Sequence, residues 1–230
     1  MVPLVLLPGM MCDGRLFAPQ IAALGLRRAI HLAPLGNHAT TAALADEILA
    51  HAPPRFALAG LSMGGIVAME VIARAPDRVE RLALLDTNPR AELPEVAARR
   101  QPQIDRVRAG GLREVMRDEM KPNYLVDGPG KQAVMDLCME MAMDLGPEVF
   151  IRQSRALRDR PDRQAVLRAV TVPTLVLCGR DDRLCPVERH QLMHDLIAGS
   201  RLEIIDGAAH LPTLEQPQRT TAALARWLED

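Results

Sequence analysis

Aromatic side chains are nearly absent: Phe17, Phe56, Phe150, Tyr124 and Trp227 are the five in 230 residues. A site built on aromatic stacking is therefore not expected. Net charge is also lacking, at -1 from 28 basic and 29 acidic residues, which gives no reason to expect a nucleic-acid partner or an acidic polymer. No apolar run reaches the length of about 18 residues that a membrane span needs. No basic stretch precedes the short apolar run at the amino end, so no secretory signal is expected. Cys12, Cys138, Cys178 and Cys185 form no C-x-x-C pair, which suits reduced thiols and a cytoplasmic location. His190 and His194 stand one helical turn apart, but their segment lacks the glutamate of the zinc-protease motif and a third ligand. They read as a pair on a surface helix. No metal and no cofactor is expected, and His31, His38 and His51 have no partner pattern.

Short apolar runs alternating with helical spacing are what the chain does contain. Strands are expected over 4–7, 28–33, 56–59, 82–85, 174–178 and 202–205, because continuous apolar runs of this length fit strands buried on both faces. Helices are expected over 40–51, 66–75, 187–198 and 215–228. The β and α order predicts an α/β fold, a mostly parallel sheet with helices on both sides. It breaks between Asp86-Thr87-Asn88-Pro89 and Thr171-Val172-Pro173. That interval reads as an all-helical cap over 89–170, inserted into a core of 1–88 and 171–230. Helical spacing covers 99–109, 112–119, 132–143 and 148–158, with Gly110-Gly111, Gly128-Pro129-Gly130 and Gly146-Pro147 as breaks.

Gly60-Leu61-Ser62-Met63-Gly64 sits where the run 56–59 turns into the helix that follows, the context of a G-x-S-x-G nucleophile elbow. Ser62 is the candidate nucleophile. A serine hydroxyl is weak at neutral pH and needs a base with a group to orient it. Asp182 follows the strand 174–178 and His210 follows the strand 202–205, so acid and base come downstream of the serine. Asp181 and Asp86 are rivals for the acid, and Asp182 is preferred because it has the Gly179-x-x-Asp spacing.

These segments resemble the α/β-hydrolase superfamily along nearly the whole chain, and 179–182 and 210–217 are similar to the small esterase and enol-lactonase branches. Leu6-Leu7-Pro8-Gly9-Met10 looks like the family's oxyanion loop, with Pro8 where a histidine is usual. The resemblance implies that the backbone N–H groups of Met10 and Met63 receive the developing oxyanion. It also implies that the first two strands of the full family sheet are missing. Branches with an aspartate nucleophile, the haloalkane dehalogenases and epoxide hydrolases, are set aside by Ser62.

The expected activity is hydrolysis of a small carboxylic ester with an apolar acyl group, through Ser62, His210 and Asp182. Lactone or thioester hydrolysis, acyl transfer and carbon-carbon cleavage use the same triad. A slow-turnover ligand receptor on the same scaffold belongs to a different class. Six cap methionines, Met116, Met120, Met135, Met139, Met141 and Met143, suggest an apolar pocket. Met139 and Met143, one turn apart, are the expected substrate contacts there. Met11, Cys12 and Phe17, beside the oxyanion loop, are the expected contacts on the core side. The partner is a small ester or lactone, with no nucleic acid and no membrane. Monomer and homodimer remain open.

Overall fold

The computed structural model describes residues 1–229, Asn123 by its backbone alone. Its core elements follow in chain order: β1 (Leu4–Leu7), α1 (Ala18–Leu24), β2 (Ile30–Leu32), α2 (Thr41–His51), β3 (Phe56–Leu61), α3 (Met63–Arg74) and β4 (Val79–Leu85). The cap region then carries α4 (Pro94–Arg108), α5 (Leu112–Val115) and α6 (Lys131–Arg158). The chain returns through α7 (Gln164–Arg168), β5 (Thr174–Gly179), α8 (Val187–Leu196), β6 (Arg201–Ile205), α9 (Pro212–Glu215) and α10 (Pro217–Glu229). Among the described residues no helix is long and apolar enough to cross a membrane.

Six strands pair in the order β2-β1-β3-β4-β5-β6, and every pairing is parallel. The sheet is thus wholly parallel. The four central strands are apolar on both faces because helices cover both. Val5, Leu7, Leu58 and Leu84 belong to one core, shared with α2, α3 and the cap. Leu4, Leu6, Ala57 and Leu85 belong to the other, closed by α1 and α10. In α10 the buried set Thr220, Ala223, Leu224, Trp227 and Leu228 follows the i, i+3, i+4, i+7, i+8 stripe of a helix lying on a sheet. The Thr40 hydroxyl caps α2 by accepting the Ala43 N–H at 3.2 Å, which fixes where that helix begins.

The cap helices follow the sequence breaks. At Gly146 the backbone takes φ 77 and ψ 177 inside α6, a conformation natural to glycine and followed by Pro147. Two helical segments thus meet at the expected break. α1 has no counterpart among the expected helices.

One expectation fails here. His190 is not on a surface: it and Met193 are the buried residues of α8, which packs on β5 and β6. His190 Nε2 accepts the Thr87 N–H at 3.0 Å. Its Nδ1 therefore carries the proton and donates to Pro186 O at 3.2 Å. Burial pulls its pKa down to about 4, so the ring is neutral at pH 7. His194 pairs instead with the Ser200 hydroxyl at 2.8 Å.

Candidate active site

The carboxyl ends of β3, β5 and β6 deliver three side chains to one rim of the sheet. Ser62 follows β3 directly and takes φ 56 and ψ -115 at the start of α3. Such a backbone costs a non-glycine residue about 1 to 3 kcal/mol and persists only where its surroundings enforce it. They do so here. The Ser62 N–H donates to Leu85 O at 2.9 Å, and the Thr87 hydroxyl donates to Ser62 O at 2.7 Å. Two glycines make the turn possible by close approach: a Cβ on Gly60 would lie 2.2 Å from Gly64 O, and one on Gly64 would lie 2.0 Å from Leu7 O.

Ser62 Oγ lies 3.0 Å from His210 Nε2, and His210 Nδ1 lies 2.8 Å from Asp182 Oδ2. The other Asp182 oxygen accepts the N–H groups of Leu184 at 2.8 Å and Cys185 at 3.0 Å. Burial pushes the Asp182 carboxyl up, but the His210 ring and those two N–H groups outweigh it. The net pKa lies below the ordinary carboxylate value. An ionised Asp182 fixes the His210 tautomer with its proton on Nδ1, leaving Nε2 free to accept from the serine hydroxyl.

The loop bearing His210 is held by Glu215, which accepts the N–H groups of Ala209 and Leu211, each at 3.0 Å, and of Val126 at 2.9 Å. The Tyr124 carbonyl accepts the His210 N–H at 2.9 Å, and the two rings lie 5.7 Å apart between centroids. Val126 and Tyr124 belong to the cap, so cap and core position His210 together.

Asp86 and Asp181 occupy different settings. Asp181 is exposed. Asp86 is fully buried, with φ 43, and one oxygen accepts the Gly179 N–H at 2.9 Å. Burial, then the nearby Asp182 charge, raise its pKa well above the ordinary value. That bias favours the protonated form of Asp86, and neither rival bonds to His210. Ligand atoms of Asp182, Cys185 and His210 lie within 4.8 Å of one another. Asp182 is spent on His210 and two N–H groups, and burial holds the Cys185 thiol protonated. That donor set does not suit a metal.

Pro8-Gly9-Met10 runs beside the serine: a Cβ on Gly9 would lie 3.5 Å from Ser62 Cβ. Met63 begins α3, where backbone N–H groups have no intrahelical acceptor. Met11 takes φ 55 and donates its N–H to Gln153 Oε1 at 2.8 Å. Gln153 Nε2 in turn donates to Leu35 O at 3.0 Å. A single cap side chain therefore ties down the loop that follows Met10.

A cavity of about 400 Å³ opens over Ser62 and His210. Its walls correct the expected contacts. Met10 lines it, whereas Met11, Cys12 and Phe17 are buried in the packing and do not reach it. Met139 and Met143 face a separate surface groove with Arg15, Arg113 and Asp136. Four-residue spacing places both on one side of α6, but that side looks away from the serine. Of the six cap methionines only Met120 lines the cavity. Its apolar wall comes from Met10, Ile66, Leu93, Val96, Met120, Leu157 and Leu184, and the remainder is polar or charged, with five arginines against Glu92 and Glu119. A larger cavity, about 710 Å³, lies by Arg55, Val79 and Thr171 at the amino ends of the strands, away from these groups.

A serine, a tautomer-fixed histidine and an ionised aspartate in hydrogen-bonded sequence, at the carboxyl end of a parallel sheet, define a serine-type hydrolase. Comparison with known proteins gives the family. Residues 4–224 match the alpha/beta hydrolase family, and the chain belongs to it. A thermophilic esterase from Thermogutta terrifontis, solved with malate bound, is 29% identical over 100% of this chain and 90% of its own, with a TM-score of 0.92. The enol-lactonase from Burkholderia xenovorans LB400 shares the fold at 24% identity, covering 100% and 92% of the two chains, with a TM-score of 0.88. Among curated proteins, a pimeloyl-[acyl-carrier protein] methyl ester esterase of Chromobacterium violaceum is 25% identical over 98% of this chain and 93% of its own.

Proposed function

We propose that this hydrolase cleaves small carboxylic esters, with Ser62 as nucleophile, His210 as general base and acid, and Asp182 as the group that orients and stabilises the imidazolium. The observation that carries the reading is the unbroken chain of contacts from Ser62 Oγ through His210 to Asp182, at 3.0 and 2.8 Å, beneath a cavity sized for a small molecule. Ser62 Oγ adds to the ester carbonyl while its proton passes to His210 Nε2. The tetrahedral oxyanion is received by the Met10 and Met63 N–H groups. Its collapse breaks the bond to the alcohol oxygen, which takes the proton from Nε2. Water repeats the sequence on the acyl-enzyme, giving the acid and free Ser62.

The catalytic core is taken as 1–88 and 171–230, with 89–170 as its cap. Ester-hydrolysing relatives favour an oxygen ester over the other substrates the triad could process. Four free, buried cysteines suit a cytoplasmic setting.

The test is a fluorophosphonate probe with a short-chain nitrophenyl ester. The parent should be labelled and turn over many times per serine. Ser62→Ala should abolish labelling and lower kcat by on the order of 10^5- to 10^6-fold. Equal labelling of the variant would exclude Ser62, and one stoichiometric acylation without turnover would favour a receptor.

A further inference from the structure

Two arginines are buried against one carboxylate in the cavity wall. Arg100 Nε donates to Glu92 Oε2 at 2.7 Å, and Arg160 Nη1 meets Glu92 Oε1 at 2.8 Å. Side-chain exposure is 11% for Arg100 and 6% for both Glu92 and Arg160, so water does little to neutralise the surplus positive charge. Burial pulls the Arg160 guanidinium below its ordinary pKa, Glu92 raises it in part, and Arg100 lowers it again. Burying an unmatched charge is unfavourable and is tolerated where a counter-charge completes the set.

The unused donors are on the same groups. Arg100 Nη1 has only the Met10 sulfur, at 4.0 Å. Arg160 spends Nε on Arg90 O at 3.0 Å and Nη1 on Glu92 and Leu157 O, which leaves Nη2 with no protein acceptor among the described residues. Arg99 and Arg183 line the same cavity, are exposed, and make no ion pair or hydrogen bond within the described residues. The contact of Arg100 with Met10 puts the cluster beside the loop that bears Met10, in the wall of the same cavity as Ser62.

We infer that Arg100 and Arg160, bridged by Glu92 and helped by Arg99 and Arg183 at the rim, form a subsite for a carboxylate on the substrate itself. The favoured substrate is then the half-ester of a short dicarboxylic acid. This rests on Ser62 acting as the esterase nucleophile. A guanidinium fork matches a carboxylate's two oxygens, and Met10, Ile66 and Leu157 supply an apolar wall for the methylenes between the two ends. The cluster also joins two parts of the cap, since Glu92 and Arg100 are close in sequence and Arg160 is remote from both. A joint of that kind alone would be indifferent to the charge of the substrate.

The experiment compares monomethyl glutarate with methyl pentanoate, which has the same acyl length and no charge. The anionic ester should have a kcat/KM greater by about 10- to 100-fold, the yield of one charged hydrogen-bonded contact, carried in KM and shrinking with salt. Arg160→Gln and Arg100→Gln should bring the ratio of the two esters towards one. Arg183→Gln, exposed and safe for folding, should lower it by a smaller factor. Calorimetry on Ser62→Ala should show glutarate binding, weakened by adding Arg160→Gln, and inorganic phosphate failing to compete at equal concentration. Equal kcat/KM for both esters in the parent would overturn the subsite while leaving the esterase reading intact. Turnover of neither these esters nor the nitrophenyl ester would sink the esterase reading, and glutarate binding would then judge the subsite alone. Competition by phosphate as strong as by glutarate would also refute a carboxylate site.

Discussion

Lowering the pH from 7 to 4 should remove about 3 kcal/mol of stability through one residue, His190. The ring ionises near 6.5 in an unfolded chain and near 4 in the fold, where it is sealed between α8 and β5 and has spent Nε2 on Thr87. Between those values the unfolded chain binds a proton that the folded protein refuses, so stability rises with pH across this window and is lost as pH falls through it. At about 1.4 kcal/mol per pH unit the loss approaches 3 kcal/mol at pH 4. Acid also removes other contributions, Asp182 among them, so the parent alone is uninformative. His190→Gln isolates the effect, because an amide can accept from Thr87 and donate to Pro186 but cannot ionise. Urea unfolding at half-unit steps from pH 4 to 7 should show the variant gaining on the parent by about 3 kcal/mol on acidification. With a urea dependence of about 3 kcal/mol per molar, the midpoints should move by about 1 M relative to each other. Parallel curves across the range would refute the burial and proton placement assigned to His190.

The two aspartates should separate cleanly. Asp182→Asn should cost roughly 10^4-fold in kcat by holding the wrong imidazole tautomer, whereas Asp86→Asn should retain most activity; the reverse order in steady-state kinetics would move the acid to β4. Because Asp86 has its pKa raised by burial, the folded state holds a proton that the unfolded state releases above about pH 4, and stability falls as pH rises. Asp86→Asn should therefore gain in Tm on the parent as pH rises from 4 to 8, and a pH-independent difference in Tm would count against a raised Asp86 pKa. Met139→Ala with Met143→Ala should leave the acyl-length profile on nitrophenyl esters unchanged, since both face an outer groove; a shifted profile would mean that α6 turns that side towards the serine.

The central strands and the order of serine, aspartate and histidine were legible because each has a local cause. Strands buried on both faces read as unbroken apolar runs, and an elbow serine needs Gly60 and Gly64 as neighbours. What was illegible depends on contacts between distant segments. Glu92 and Arg160 are charged residues of the kind that ordinarily stay in water, and nothing near either announces that they meet. The spacing of Met139 and Met143 gave a common face but not its direction. Two histidines at helical spacing suggest a polar surface pair, but His190 lies on the stripe His190, Met193 and Ile197, all of which are buried. The tie from Gln153 to Met11 has no sequence signal of its own.

That tie makes exchange of specificity regions between relatives less simple than the chain's layout suggests. A recombinant that replaced residues 89–170 wholesale would lose the acceptor for the Met11 N–H and the donor to Leu35 O. The loop carrying Met10 would then be free to drift. Such a chimera could fold, keep its serine, histidine and aspartate in contact, and still turn over slowly with every substrate offered. A useful graft must bring a glutamine, or an equivalent double-ended amide, at position 153. The unit of inheritance for turnover is larger than the catalytic core.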